Sequence, residues 1–514
     1  MPPAKSHLFR GEKGRRKTPP ASLPGLNSLG KPVFLSRMKP LFLCLPLVLS
    51  AQLHAAIGQW QVLQDGEGGS TKVRFEGLQK DKYLLRRETD GKLFETSPGL
   101  LPAEARTAID AEAKLLSEEL PKLSAMAGHK LFSGTPFEVR PAQEIADALD
   151  LRQESKTKHS ASWRAYTGSS YKLFGARPYS VALYAGEDGN ASVLSAVYSN
   201  KGDFKSGVGS GEDHFKGKSE ADEASLAKAM EEDEKAVLAA ISSVLGEPKT
   251  QRFGDSRNTR RVVRRWDWNG HSLILSSEEL EYVSLSIVPL ELADGGGKTA
   301  KVKDGDIRKR LKEDVVRDKN GDVYLGQIPM VNQGPKGYCV PATFERAMRA
   351  AGIEADMYLL AMVGKSGMGG GTSVEYLLEE VRSQVRNKGR RTKDERVKEL
   401  KVRDVKRYID EGVPVMWTMR SLGPYNDTAN KNTNKRRNVT DWAAWAKEVA
   451  EQAATVIKQE GEQENYHICM IVGYNEATNE LAVSDSWGAS YERRWVPAPV
   501  ANWASSGGLF MILP

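Results

Sequence analysis

Cys339 stands in the run Val331-Asn-Gln-Gly-Pro-Lys-Gly-Tyr-Cys339-Val-Pro-Ala-Thr343, six positions after Gln333. An imidazole follows far downstream in Tyr466-His467-Ile-Cys-Met-Ile-Val-Gly-Tyr474, and a carboxylate in Val483-Ser-Asp485-Ser-Trp487-Gly488. A thiol, an imidazole, a carboxylate and a side-chain amide are the parts of a nucleophilic acyl-transfer site. The thiol is a weak nucleophile until ionised, and a free cysteine titrates near ~8.5. A helix N-terminus lowers that value, because its unpaired N–H groups favour a negative sulfur. A neighbouring imidazole lowers it further by keeping the proton as a cation, which later protonates the leaving amine. His467 is the candidate base and acid, and Asp485 the group that fixes its tautomer. Gln333, together with the backbone N–H of Cys339, is the candidate donor set for the oxyanion of the tetrahedral intermediate.

These groups need elements to hold them. Pro341 suits a first helical turn, and Phe344, Ala347, Met348 and Ala351 recur at helical spacing. Cys339 is therefore expected at the start of a helix whose apolar face enters the core. Ile468-Cys-Met-Ile-Val472 reads as a buried strand, and Leu481-Ala-Val-Ser484 as the next one after a turn at 475–480. Antiparallel neighbours joined by a short turn bring positions 467 and 485 side by side, with Trp487 covering their contact from water. Lys406–Glu411 reads as a helix leading into a core strand, Gly412-Val-Pro-Val-Met-Trp417. Met368-Gly-Gly-Gly-Thr372 is open to two readings. It is a flexible loop before a helix at Ser373–Val381, or a backbone edge that glycines leave free for an extended peptide. On the second reading Gly370 and Gly371, with Trp487, are the substrate-binding candidates.

The spacing Gln333-x5-Cys339, His467-x4-Val472-Gly473-Tyr474 and Asp485-Ser486-Trp487-Gly488 resembles the papain-like cysteine peptidases, most closely their C39-like bacterial branch. The resemblance covers about 326–514. It implies a papain-like fold, with a helical half and an antiparallel-sheet half. It also implies nucleophile, base, orienting residue and oxyanion donor at Cys339, His467, Asp485 and Gln333. Two departures stand out. The papain branch usually carries Asn before Ser-Trp-Gly, where this chain has Asp485. Cys-Val-Pro replaces the usual Cys-Gly-x, which is expected to narrow the cleft beside the sulfur.

Plainer readings exist for each residue. Cysteines are commonly small buried hydrophobes, and Cys469, inside an apolar strand, is read that way, although it shares a strand face with His467. Gln333 is otherwise a turn residue. A peptide-binding protein without turnover is the alternative from another class, yet such a module has no need of all four catalytic positions. Amide transfer or deamidation on the same hardware is the alternative among enzymes. A Cys/His/His amidase is disfavoured by Asp485.

The rest of the chain bounds this reading. Its 514 residues, 40% apolar and 27% charged, suffice for several cores. Residues 1–39 carry nine basic groups against Glu12, a local +8, so the total of +7 leaves −1 for residues 40–514. Bulk charge thus implies no nucleic-acid partner, and a peptide or protein substrate is expected. Pro40–Ser50 is apolar, follows Met38-Lys39 and precedes Ala55-Ala56, so 38–56 reads as a secretory signal peptide. Residues 1–37 read as a basic extension or as sequence upstream of the true start. Nothing later approaches the ~18 apolar residues of a spanning helix. Removing the leader takes Cys44 with it and leaves two cysteines, too few for a disulfide framework.

Within the expected exported chain, 57–110 reads as short alternating strands with turns at Asp65-Gly66, Gly68-Gly69 and Asp90-Gly91. It resembles an SH3-like barrel of the SLA1-homology type. A helix is expected from Ala103 to Leu120, stopped by Pro121. Region 111–292 reads as α+β, with a helix at Glu223–Leu245, a hairpin around Gly186–Asn190 and three strands at Arg261–Trp268, His271–Ser276 and Tyr282–Val288. The glycine-rich run from Ala293 reads as a linker to 325, including a charged helix over Lys301–Lys319. The whole is expected to be α+β and multidomain. His159, His214 and His271 lack metal-ligand spacing and no phosphate-binding glycine loop occurs, so neither metal nor cofactor is expected. The basic stretches Arg386–Arg391 and Lys431–Arg437 read as solvated insertions. For the accessory regions, substrate delivery, anchoring and masking of the cleft all remain open.

Overall fold

The computed structural model describes residues 58–64, 69–204, 223–459 and 465–514. The leader at 38–56, the extension before it, Cys44, the turn at 65–66 and His214 lie outside them. The architecture is mixed α+β, and every sheet is antiparallel.

β1 (Trp60–Gln64), β2 (Ser70–Gln79), β3 (Lys82–Arg87) and β4 (Leu93–Thr96) form a meander in that order. Among the described residues β1 and β4 do not pair, so the meander is open. Alternation puts Val73, Phe75, Tyr83 and Leu85 in the core, where α1 (Ala103–Ala127) packs against β2. Pro121 does not stop α1. It removes one backbone donor, but Leu123, Met126 and Ala127 beyond it are buried, and each large apolar side chain so placed gains about 1.5–3 kcal/mol. The helix ends instead at Gly128, in the left-handed conformation.

α2 (Ala142–Ala148) is followed by β5 (Arg152–Lys156), β6 (Ala161–Tyr166), β7 (Ser180–Ala185) and β8 (Ala191–Asn200). α3 (Glu223–Leu245) is followed by β9 (Lys249–Phe253), β10 (Arg261–Trp268), β11 (His271–Glu278) and β12 (Tyr282–Pro289). The sheet order is β5-β6-β7-β8-β12-β11-β10-β9. Two helix-plus-meander halves therefore meet along their last strands. The Asn269-Gly270 turn has positive φ at both residues, as the tightest hairpin turns require. The first meander, α1 and one face of this sheet share a single hydrophobic cluster that includes Phe75, Leu116, Trp163, Ile241 and Trp266.

α4 (Leu290–Asp294), α5 (Asp304–Glu313), β13 (Val315–Arg317) and β14 (Asp322–Leu325) occupy the stretch expected to be mostly linker. It is not merely a tether. Val315-Val and Val323-Tyr-Leu pair as a hairpin, and Asp322, Val323 and Tyr324 pair onward with Asn475, Tyr474 and Gly473. The remaining helices are α6 (Cys339–Ala350), α7 (Met357–Val363), α8 (Val374–Asn387), α9 (Val402–Asp410), α10 (Gly423–Arg436), α11 (Trp442–Val456) and α12 (Ala498–Ala504). The remaining strands are β15 (Arg391–Arg396), β16 (Val415–Arg420), β17 (Tyr466–Asn475), β18 (Glu480–Ser484), β19 (Arg494–Pro497) and β20 (Ser505–Leu513). The sheet runs β13-β14-β17-β16-β20-β15, with β18 on β17 and β19 on β18.

The two basic stretches are only partly solvated. Arg390 is buried, donating to Ala351 O at 3.1 Å and pairing with Asp304 at 2.6 Å. Arg436 is buried between Asp322 and Glu480. Charge runs report composition, whereas a guanidinium with a buried carboxylate partner can enter a core. Among the described residues no helix is long and apolar enough to cross a membrane.

The eight-stranded sheet and the C-terminal unit are tightly joined. Tyr179, Val197 and Tyr282 share a cluster with Val331, Tyr338, Ala342, Met357 and Tyr358. Glu154, itself paired with Arg164 at 2.7 Å, accepts the Asn332 backbone N–H at 2.6 Å. Ser155 accepts from Met330 N at 3.0 Å, and Tyr166 donates to Asn332 O at 2.6 Å. Tyr338 donates its hydroxyl to Asn200 at 2.7 Å. These contacts end on the segment that leads into Cys339.

Candidate active site

Cys339 is the first residue of α6, as the helix pattern predicts, and its side chain is half-buried. Phe344, Ala347 and Met348 anchor the helix in the core. Two polar contacts fix α6 against the sheet. Thr343 donates to Ile468 O at 3.4 Å, next to His467. Arg346, fully buried, donates to Pro329 O at 2.9 Å, to the Ser484 hydroxyl at 2.5 Å and to the Ser486 hydroxyl at 3.3 Å. The backbone N–H of Gln333 donates to Ser486 O at 2.8 Å. The loop before the thiol and the loop after Asp485 are thus tied to each other.

β17 and β18 pair up to Met470 opposite Ser484, and just past that end His467 Nε2 lies 3.0 Å from Asp485 Oδ1. Asp485 is wholly buried, and its other oxygen accepts from Arg494 at 2.6 Å. Trp487 stacks on His467, with ring centroids 4.8 Å apart and planes inclined at 26°. Tyr491 meets Trp487 edge-on at 5.3 Å, and the Arg494 guanidinium lies 5.5 Å from its centroid. Trp487 therefore covers the imidazole on one face, as the sequence suggests.

The electrostatics follow from this packing. Burial disfavours a charged Cys339, but the His467 hydrogen bond and charge outweigh it, aided by backbone N–H groups of Ile468 and Val340, and the thiol titrates below its ordinary range. Burial likewise disfavours the His467 cation, but Asp485 and Cys339 outweigh it and raise its pKa from 6.5 to about 9. Asp485 is held below the ordinary carboxylate range by His467 and Arg494 against its own burial. All three shifts favour a thiolate, an imidazolium and a carboxylate side by side.

Gln333 has one side-chain amide hydrogen committed, to Lys336 O at 3.2 Å. An amide nitrogen carries two hydrogens, so one remains for another acceptor. Gly370 and Gly371 play separate parts. Gly370 pairs with Gly337, and a Cβ on it would lie 2.6 Å from the Gly337 Cα. Gly371 donates to Gly337 O at 3.0 Å, while a Cβ on it would meet nothing within 4 Å. The glycine run thus braces the segment before Cys339 and leaves Gly371 facing open space.

Cys469 is fully buried beside Met419, with its sulfur 3.8 Å from the Met419 sulfur, and burial raises its pKa. His159 sits between Asp314 at 2.7 Å and Glu187 at 3.2 Å. His271 is buried among Phe132, Phe137 and Trp268, and burial lowers its pKa to about 4. Among the described residues no group of three His, Cys, Asp or Glu side chains is placed to hold a metal ion.

Residues 325–509 match the model of the Peptidase_C39 like family. At the level of the family, this similarity supports a papain-like cysteine peptidase and a protein substrate. No curated protein matches the chain. Within this C39-like region, two positions escape a motif-based reading. Arg494 gives the Asp485 carboxylate its second partner, and Arg346 locks α6 to β18. The pair Arg493-Arg494 before Trp495-Val-Pro is the only sequence hint of the first, a cation entering a buried strand. Arg346 carries no comparable signal.

Proposed function

We propose that this chain is an exported cysteine hydrolase that cuts peptide or isopeptide bonds through an acyl-enzyme. The observation that carries the reading is Cys339 at the start of α6, in electrostatic contact with a His467 that Asp485 holds at 3.0 Å. The Cys339 thiolate adds to the substrate carbonyl carbon, and the carbonyl electron pair moves onto oxygen. The Cys339 backbone N–H and the remaining Gln333 amide hydrogen stabilise that oxyanion. On collapse the C–N bond breaks, and the His467 imidazolium gives its proton to the departing amine. Water then attacks the thioester, losing its proton to His467, and the carboxylic acid leaves as the thiolate is restored. Trp487 keeps water off the His467–Asp485 bond, and Gly371 offers open backbone along which a substrate chain can lie. The leader expected at 38–56 is the basis for export. The contacts from the eight-stranded sheet brace the segment 330–338, which favours a supporting role for the accessory regions.

The test is the pH dependence of alkylation at Cys339, followed by peptide mass spectrometry in wild type and His467→Ala. Selective labelling of Cys339 over Cys469 that persists well below pH ~8.5 and is lost in the variant is expected. An ordinary thiol titration in both proteins would refute the reading.

A further inference from the structure

A cleft of about 700 Å³ lies between α10 and the β13–β14 hairpin, within the size range of ligand sites, ~300–1,000 Å³. Tyr324, Arg436, Arg437, Trp442, Arg493 and Trp495 form its distinctive lining. Arg436 is already committed: it pairs with Asp322 and Glu480, and its guanidinium lies 4.8 Å from the Trp442 ring centroid and 4.0 Å from that of Trp495. It holds the two indoles in place. Arg437 and Arg493 are different. Both are exposed, and among the described residues neither has an ion-pair partner; Arg493 lies over Tyr324 at 3.7 Å. Of the two lining carboxylates, Asp322 is taken by Arg436 and Asn475, so Glu492 alone opposes the free cations.

We propose that this cleft binds an acidic stretch of a polypeptide substrate, with Arg437 and Arg493 as carboxylate partners and Trp442 and Trp495 as the apolar floor. Arginine forks suit carboxylates, and indole faces flanked by cations suit a peptide that carries both charge and apolar groups. Short stretches of chain join two walls of the cleft to the candidate site. Its wall at 489–493 begins two residues after Trp487, and its wall at 326–328 ends five residues before Gln333. A substrate tethered here gains effective concentration at Cys339 without a contact to the reacting bond. The inference rests on the peptidase reading only for calling the bound chain a substrate.

The test uses the full chain as Cys339→Ala, which prevents turnover, and fluorescence anisotropy of a labelled peptide bearing a run of glutamates. The same peptide with glutamines in that run is the comparison. Glutamate binding that is about tenfold tighter or more, weakens with salt, and falls to the glutamine level in Arg437→Glu/Arg493→Glu is expected. Arg437→Gln/Arg493→Gln, a milder change at exposed positions, should lose most of the same preference. Equal binding of the two peptides, or a preference unmoved in either double variant, overturns the proposal. Alkylation of Cys339 in the otherwise wild-type arginine variants separates the two readings. Normal labelling with no glutamate preference sinks the cleft alone, and a preference without activated labelling sinks the peptidase reading alone.

Discussion

Asp485→Asn removes one charge from a row of three while preserving the shape of the side chain. His467 has its pKa raised from 6.5 to about 9 against the effect of burial. A rise of that size corresponds to about 3 kcal/mol in favour of the cation. Asp485 and Cys339 both contribute to it, each through a hydrogen bond and through charge. Removing the Asp485 share should therefore bring the imidazolium's titration down by at least about one pH unit. The sign for the thiol is opposite: with less cation beside it, Cys339 should titrate higher. The pH window in which thiolate and imidazolium coexist narrows from both ends. Two alkylating agents read the two ends separately. The rate with neutral iodoacetamide follows thiolate formation. The ratio of anionic iodoacetate to iodoacetamide rates reports the positive charge next to the sulfur, and falls as His467 loses its proton. In the wild type that ratio should fall near pH 9, and in Asp485→Asn at least a unit lower. A ratio with the same midpoint in both proteins would mean that Asp485 does not support the His467 charge, and the role proposed for Asp485 would fail.

Arg494→Met leaves the wholly buried Asp485 carboxylate with one partner and should lower stability by about 3–5 kcal/mol in urea unfolding of the full chain. Adding Asp485→Asn to it should cost clearly less than the sum of the two single changes. Gly202→Ala places a methyl 1.8 Å from the Tyr338 hydroxyl, so it should destabilise by about 1–3 kcal/mol and slow labelling of the adjacent Cys339. Gly168→Ala, with open space around its Cβ, is the control that should do neither.

Local patterns proved legible where one element alone determines them. The start of α6 at Cys339, the β17–β18 hairpin that brings His467 to Asp485, and the last three of the four strands after α3, β10 to β12, all follow from spacing and turn chemistry. Trp487 over His467 follows as well. What escaped depends on partners distant in sequence. α1 runs through Pro121 because residues beyond it are buried in the large core shared with the eight-stranded sheet. Arg390 and Arg436 read as solvated because their carboxylates, Asp304, Asp322 and Glu480, lie 44 to 114 positions away. Arg494 was invisible as a partner of Asp485 for a different reason: it is near in sequence, yet nothing in a strand pattern says that a cation points inward. The stretch 293–325 reads as a tether because the run Gly295-Gly296-Gly297 marks a break, while its two short strands acquire meaning only against β17.

Tyr338 is hydrogen-bonded to Asn200 and packed on Gly202, one residue before the thiol. A folded unit that is to stand alone must close its own surface where it is excised. Here, excision at 325 would expose Val331, Tyr338, Ala342, Met357 and Tyr358 together, an apolar face that now packs on Tyr179, Val197 and Tyr282. The C39-like region therefore relies on the eight-stranded sheet to cover this face. Substitutions at Asn200 or Gly202 would reach the segment that leads into Cys339, although neither residue belongs to the stretch that matches the family.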